Sequence, residues 1–299
     1  MQSIAIHTPT QIHTKEKSIN VKSNLYEMTK DYALSYHSNN ITIQNWHGQC
    51  KMFSVPTLTA IKCANYTYFG TIDGKLLMYS HTGQLLVAFK AHFQSITAIE
   101  ANKYYVVTGS SDGSVKVWYV DQLLSHSEIC VDEFMMGLQV TQIRLWNNSF
   151  YISSLDKHLK VFKNTVKSDI TLPDGIADFD VGVYGICMVL NNGSVGLLKK
   201  DNYTEITTIE NPKFVLWNGQ KIICASYSKV YELSQNGDVL STKEKEAICG
   251  LKRIPMCKNL ISKKELPIYS KSVEPLKRNL TIEIDFIKDH NFIDKIQAM

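Results

Sequence analysis

Long apolar runs are missing from this 299-residue sequence, and nothing in it approaches eighteen consecutive apolar residues. No membrane-spanning helix is therefore expected. The opening segment, MQSIAIHTPTQIHTKEKS, also lacks the apolar centre of a secretory leader. Among the seven cysteines (Cys50, Cys63, Cys130, Cys187, Cys224, Cys249 and Cys257) there is no Cys-x-x-Cys pair. A zinc ribbon or thioredoxin-like centre is left without its ligands. Most of these cysteines lie in apolar runs such as AIKCANY, GICMVL and KIICASY, where a reduced thiol acts as a small hydrophobe. An odd count without framework spacing points to a reducing, nucleocytoplasmic compartment, in which the sequons at Asn65, Asn202 and Asn279 stay idle.

A strong charge of one sign is missing too. The formal net charge of +4, from 32 basic and 28 acidic residues, is too small to name nucleic acid as the direct ligand. No G-x-S-x-G elbow, H-E-x-x-H pair, P-loop or dinucleotide fingerprint occurs. Histidines and carboxylates are scattered through turns instead of clustering at ligand spacing. No catalytic residue, cofactor or metal ligand is expected, and the chain reads as non-enzymatic. What it does have is apolar material, 44% of residues, enough for a large core.

That material is repeated. The clearest unit, SITAIEANKYYVVTGSSDGSVKVWYV from Ser95 to Val120, holds three short runs rich in Val, Ile, Tyr and Trp. Asn-Lys and Asp-Gly hairpin signals separate them. The order recurs in Thr59–Phe89 around Asp73-Gly74, in Gln139–Asn164 around Asp156-Lys157, and in Ile176–Lys200 around Asn192-Gly193. More eroded copies are Phe214–Leu240 and Tyr32–Phe53. Aspartate-to-aspartate steps of about 39 residues, and about 36 in the later pair, fit the roughly 40 of a propeller blade. Six four-stranded units are readable. A seventh can be assembled from the N-terminal SIAIHT and residues near Ala247–Ile254, which would close the ring and remove its sheet edges. The expected fold is an all-β propeller over 1–254, of seven blades by this closure, followed by an irregular tail over 255–299.

The Ser95–Val120 unit, with His92 ahead of it in AHFQSIT and VVTGSSDGSVKVW inside it, resembles the WD40 repeat. The resemblance implies a hydrogen-bonded structural set of His92, Thr108 or Ser110, Asp112 and Trp118. A buried polar chain of that kind fixes one packing when every member has a partner. Ala91 and Tyr119 depart from the repeat's Gly and terminal Asp, and other blades lack its Trp or His. Those blades are expected to rely on apolar packing.

Over Gly74–Ser125 the sequence further resembles a WD-repeat subunit family of the nuclear complex that matures the large ribosomal subunit precursor, the family of WD repeat-containing protein eighteen. The AHFQSIT segment, the SDGSVKVW hairpin and the DQLLS step carry that likeness. It implies a scaffold for pre-60S maturation and internal transcribed spacer processing. It also implies a location in the nucleolus and nucleoplasm, alongside any cytoplasmic pool, and as partners a helical-repeat subunit and an AAA ATPase. The alternatives are a coat or nuclear-pore scaffold, whose open blade would accept a partner's strand, and a propeller hydrolase.

Two stretches are candidate contact surfaces. His126–Met136 is the longest irregular insertion, and its Phe134, Met135 and Met136 make a candidate partner-docking edge. The stretch 252–278 is basic and interrupted by prolines. Its Lys252, Arg253, Lys263, Lys264, Lys277 and Arg278 are candidate tail contacts, to a protein partner or to pre-rRNA phosphates.

Overall fold

The structure is a computed structural model that describes residues 3–7, 11–13, 18–20, 25–29, 32–45, 50–80, 83–147, 149–163, 166–245, 247–248 and 250–254. These residues form seven antiparallel sheets of four strands each. Blades 1 to 6 follow in chain order over 25–54, 58–90, 96–135, 140–171, 176–208 and 214–244. In each, the first strand is innermost and packs on the innermost strand of the blade that follows. The innermost strands are Leu25–Met28, Leu58–Cys63, Ile96–Ala101, Val140–Trp146, Ile176–Gly182 and Phe214–Asn218.

Blade 7 is built from both ends of the propeller. Its inner strand is Gly250–Ile254, and its other three are Ser3–His7, Gln11–His13 and Ser18–Asn20. Ser3 pairs with Ile254 and His7 with Gly250. The two segments expected to complete the ring therefore meet, and the closing strand is paired instead of presenting an open edge.

Local chemistry sets the repeating geometry. Gly74, Gly113 and Gly193 turn with φ of +80°, +80° and +94°, a region glycine enters without steric cost. The residue before each turn glycine also matters. Asp112, Asp156 and Asn192 each accept, through a side-chain oxygen, the N–H two residues on, which closes an Asx turn. Where Lys157 stands in place of glycine, this bond still holds the turn.

Blades 2 to 5 each carry a register shift in the inner strand. In blades 2 and 3 the extra residue, Thr59 or Thr97, donates its hydroxyl to Ile96 O or Val140 O of the next blade, at 2.6 and 2.5 Å. Gly70 and Gly109 leave the space those blades need: a Cβ would lie 2.6 Å from Ile96 and 2.4 Å from Val140. The blades interlock as well as stack.

The structure corrects two readings of the sequence, the docking trio and the start of the tail. Phe134 and Met136 are buried, at 7% and 3% exposure. Phe134 stacks on Phe162 with ring centroids 4.1 Å apart, because Asp132–Met135 is the outer strand of blade 3 and its inward side chains fill the gap to blade 4. Only Met135 of that trio faces outward, at 62% exposure. The DQLLS step is a single helical turn, Val120–Leu124. Lys252 and Arg253 are on the closing strand and do not begin a tail. Lys252 is committed to an ion pair with Glu27 at 2.6 Å. Lys263, Lys264, Lys277 and Arg278 lie outside the described residues.

Candidate functional site

Blade 3 brings together the residues named from the sequence and adds one that was missed. His92 Nε2 lies 2.7 Å from Thr108 Oγ1, and its Nδ1 lies 2.7 Å from Ser114 Oγ. Trp118 Nε1–H donates to Thr108 Oγ1 at 3.0 Å. Asp112 Oδ1 accepts the Ser114 hydroxyl at 2.6 Å. Counting donors and acceptors orders the protons. Trp118 donates to Thr108, whose hydroxyl donates to His92 Nε2 because the proton of the neutral ring is on Nδ1. His92 Nδ1–H donates to Ser114, whose hydroxyl donates to Asp112. Ser110 Oγ accepts the Asp112 N–H at 3.2 Å.

Ser114 is thus the middle link between His92 and Asp112. Its signal lay in SDGSVKVW, where a hydroxyl directly after the turn glycine is placed to receive the aspartate.

Electrostatics keep the chain neutral at the histidine. Burial outweighs the attraction of Asp112 and pushes the His92 pKa down to about 4. Burial also acts to raise the Asp112 carboxyl, but the Ser114 hydroxyl and N–H bonds, followed by His92, hold it below its ordinary range. A buried, neutral histidine with both ring nitrogens bonded acts as a positioning group.

What it positions is a loop. The residue after His92 is Phe93, whose N–H donates to Asp112 Oδ2 at 3.1 Å and whose ring is 89% exposed. Lys90 Nζ, which also donates to Asp73 O, reaches Phe93 O at 3.5 Å.

Phe93 belongs to the face on which each turn between second and third strands is tied to a blade-to-blade connection. Ile72 N–H bonds Thr57 O, Ser111 N–H bonds Ser95 O, and Leu155 N–H bonds Gln139 O. Ile72, Phe93, Leu138 and Leu155 are all exposed large apolar residues on this face, across blades 2 to 4. Single exposed apolar residues are ordinary, and these four lie on successive loops of one face. The sequence did not distinguish the two faces, because exposure of a loop residue depends on which sheet end it caps. The opposite face carries exposed Tyr104, Val183 and Tyr184 on the turns between first and second strands.

Comparison with known proteins agrees with this architecture. Residues 83–119, which contain His92, Thr108, Asp112, Ser114 and Trp118, match the family described as "WD domain, G-beta repeat". No curated protein sequence matches the chain. Among solved structures, the chain is similar to the computationally designed protein Ika8, with 17% identity and a TM-score of 0.65 over 75% of each chain. It is similar as well to U3-55K, with 14% identity and a TM-score of 0.61, covering 78% of this chain and 81% of that one. Residues 83–119 match the WD40 repeat, and the described residues form seven four-stranded sheets in the architecture of a β-propeller.

Proposed function

We propose that this propeller is a non-enzymatic protein-interaction scaffold, and that its place is the nuclear complex that matures the pre-60S particle and processes the internal transcribed spacer. The scaffold reading rests on the apolar arc of Ile72, Phe93, Leu138 and Leu155, held on loops that the blade 3 hydrogen bonds and the turn-to-connection bonds make rigid. Pre-organised loops lose little conformational entropy on binding, so exposed apolar anchors there convert burial into affinity efficiently. The finer reading rests on the resemblance over Gly74–Ser125, which spans the loop bearing Phe93. A large helical-repeat subunit is the partner it implies; on our reading that subunit docks on this face, and the assembled complex would present the particle to an AAA ATPase. The open-blade reading of a coat or pore scaffold loses its motive, since Gly250–Ile254 completes blade 7.

Affinity purification of the tagged full chain, followed by mass spectrometry, tests this. Pre-60S proteins together with a helical-repeat subunit are expected from the wild type. Phe93→Ser combined with Leu155→Ser should lose that subunit while leaving stability within about 0.5 kcal/mol, as for exposed positions generally. Coat or pore subunits in place of pre-60S proteins would replace the finer reading. A chain that captures nothing would end the scaffold reading itself.

A further inference from the structure

The innermost strands carry charge in a pattern that neither the docking face nor the blade 3 hydrogen bonds use. Glu27 stands opposite Leu34, Lys62 opposite Tyr68, Glu100 opposite Val107, Arg144 opposite Tyr151, Asp180 opposite Cys187 and Leu216 opposite Ile223. Each of those partners lies three residues before His37, Thr71, Ser110, Ser154, Leu190 or Ser226, where its blade enters the second turn. These six side chains therefore sit at one height around the axis. Lys252, opposite Ala5 on the closing strand, is the seventh.

Around the ring, the charges run Glu27, Lys62, Glu100, Arg144, Asp180, Leu216, Lys252 and back to Glu27: minus, plus, minus, plus, minus, none, plus. Seven positions cannot alternate in sign without one break, and Leu216 is that break.

We infer that these residues form one continuous belt of alternating charge, which couples successive blades and locks the ring where Lys252 meets Glu27. Three blade boundaries carry ion pairs: Lys252–Glu27 at 2.6 Å, Lys62–Glu100 at 2.7 Å and Arg144–Asp178 at 3.3 Å. Asp178 stands one step along the strand from Asp180 on the same side. The boundary with blade 6, whose belt position is Leu216, is crossed differently. Asp178 Oδ2 and Asp180 Oδ2 accept the N–H groups of Val215 and Trp217, each at 2.8 Å.

The carboxylates are anchored as well as paired. Glu27, Glu100 and Asp178 each accept the N–H of the next residue in their own strand. At the lock, Lys252 also lies 5.3 Å from the centre of the Tyr26 ring, and a Cβ at Gly250 would strike the Tyr26 hydroxyl. The last strand is thus keyed to blade 1 by shape and by charge.

The coupling runs past nearest pairs. Burial pushes the Glu27 carboxyl up, but Lys252 and then Lys62 outweigh it and hold it below the ordinary range. Burial likewise acts to lower Lys62, and Glu100 and then Glu27 raise it above its ordinary value. Each of these two charges feels the neighbour on either side.

A charge exchange separates belt from isolated pairs in the purified full chain. Lys62→Glu combined with Glu100→Lys restores an ion pair between blades 2 and 3. It also sets the new carboxylate beside Glu27 and the new ammonium beside Arg144, two like-charge contacts that the wild type avoids. A belt predicts that this exchange unfolds at a Tm at least about 5 °C below wild type. An exchange that regains the wild-type Tm would overturn the belt.

Milder variants serve if the exchange fails to fold. Glu27→Gln and Lys62→Met belong to different bridges, so isolated pairs predict additive Tm shifts. The belt predicts that the double variant loses measurably less than the sum of the two, and additivity overturns it.

Discussion

In blade 3 three buried positions are held by His92, Thr108 and Trp118, and in blade 5 the same positions are Leu172, Met188 and Leu198. The correspondence is positional. His92 and Leu172 stand four residues before the inner strand, Thr108 and Met188 two before the end of the second strand, and Trp118 and Leu198 fifth in the third. One set is joined by hydrogen bonds between His92, Thr108 and Trp118. The other packs as a single apolar cluster with exposures of 3%, 0% and 3%. Blade 4 follows blade 5, with Met136, Ile152 and Phe162 in one cluster. The blade geometry therefore does not require the polar set. What it requires is a filled volume, and polar atoms are admitted where each has a partner. Met136 is buried for this reason: it occupies the place that His92 takes one blade earlier.

Deleting volume should be the costliest change in either blade. Trp118→Ala is expected to lose about 3–5 kcal/mol and Leu198→Ala about 2–5 kcal/mol, measured by denaturant unfolding. A near-equal loss would show that volume dominates in both blades, whereas a loss below about 1 kcal/mol at either site would show that its blade does not depend on that packing.

Shape-preserving changes should separate the two blades. Thr108→Val keeps the volume but strands His92 Nε2 and the Trp118 N–H, at a cost of about 2–4 kcal/mol. Met188→Leu strands nothing and should cost less than about 1.5 kcal/mol. If the two substitutions cost the same, the hydrogen bonds of blade 3 add nothing to its packing.

The subtlest difference is in pH. The folded pKa of His92, about 4, lies below its ordinary 6.5, so its contribution is complete above about pH 6.5 and is lost as pH falls toward 4. Asp178 acts in the opposite sense. Burial, only partly offset by Arg144, raises its carboxyl to about 6, so its contribution grows as pH falls through that range. Comparison with His92→Gln removes this background. Between pH 7 and pH 5 the wild type should lose about 2 kcal/mol more than that variant. Parallel pH curves would mean that His92 is not buried neutral.

Much of the fold was legible because it is written locally. Asp73-Gly74, Asp112-Gly113 and Asn192-Gly193 mark their turns through backbone conformations that few residues adopt, and strand periodicity follows from alternating side chains. Trp118 and His92 stood out as members of a known polar pattern. Phe134 and Met136 misled because apolar residues in an acidic insertion look the same whether they face a partner or the next blade. Lys252 misled because a lysine in a basic stretch gives no sign of the Glu27 that meets it 225 positions away.

The sequence by itself determined the repeat, the strands within it and the turn chemistry. Each of these depends on residues within about 40 positions of one another. Only the tertiary structure decided which apolar loop residues share a face, which charges meet at the axis, and which strand locks the ring. Those outcomes depend on the angle and height at which distant strands arrive, and both are set by how seven sheets fill space around one axis.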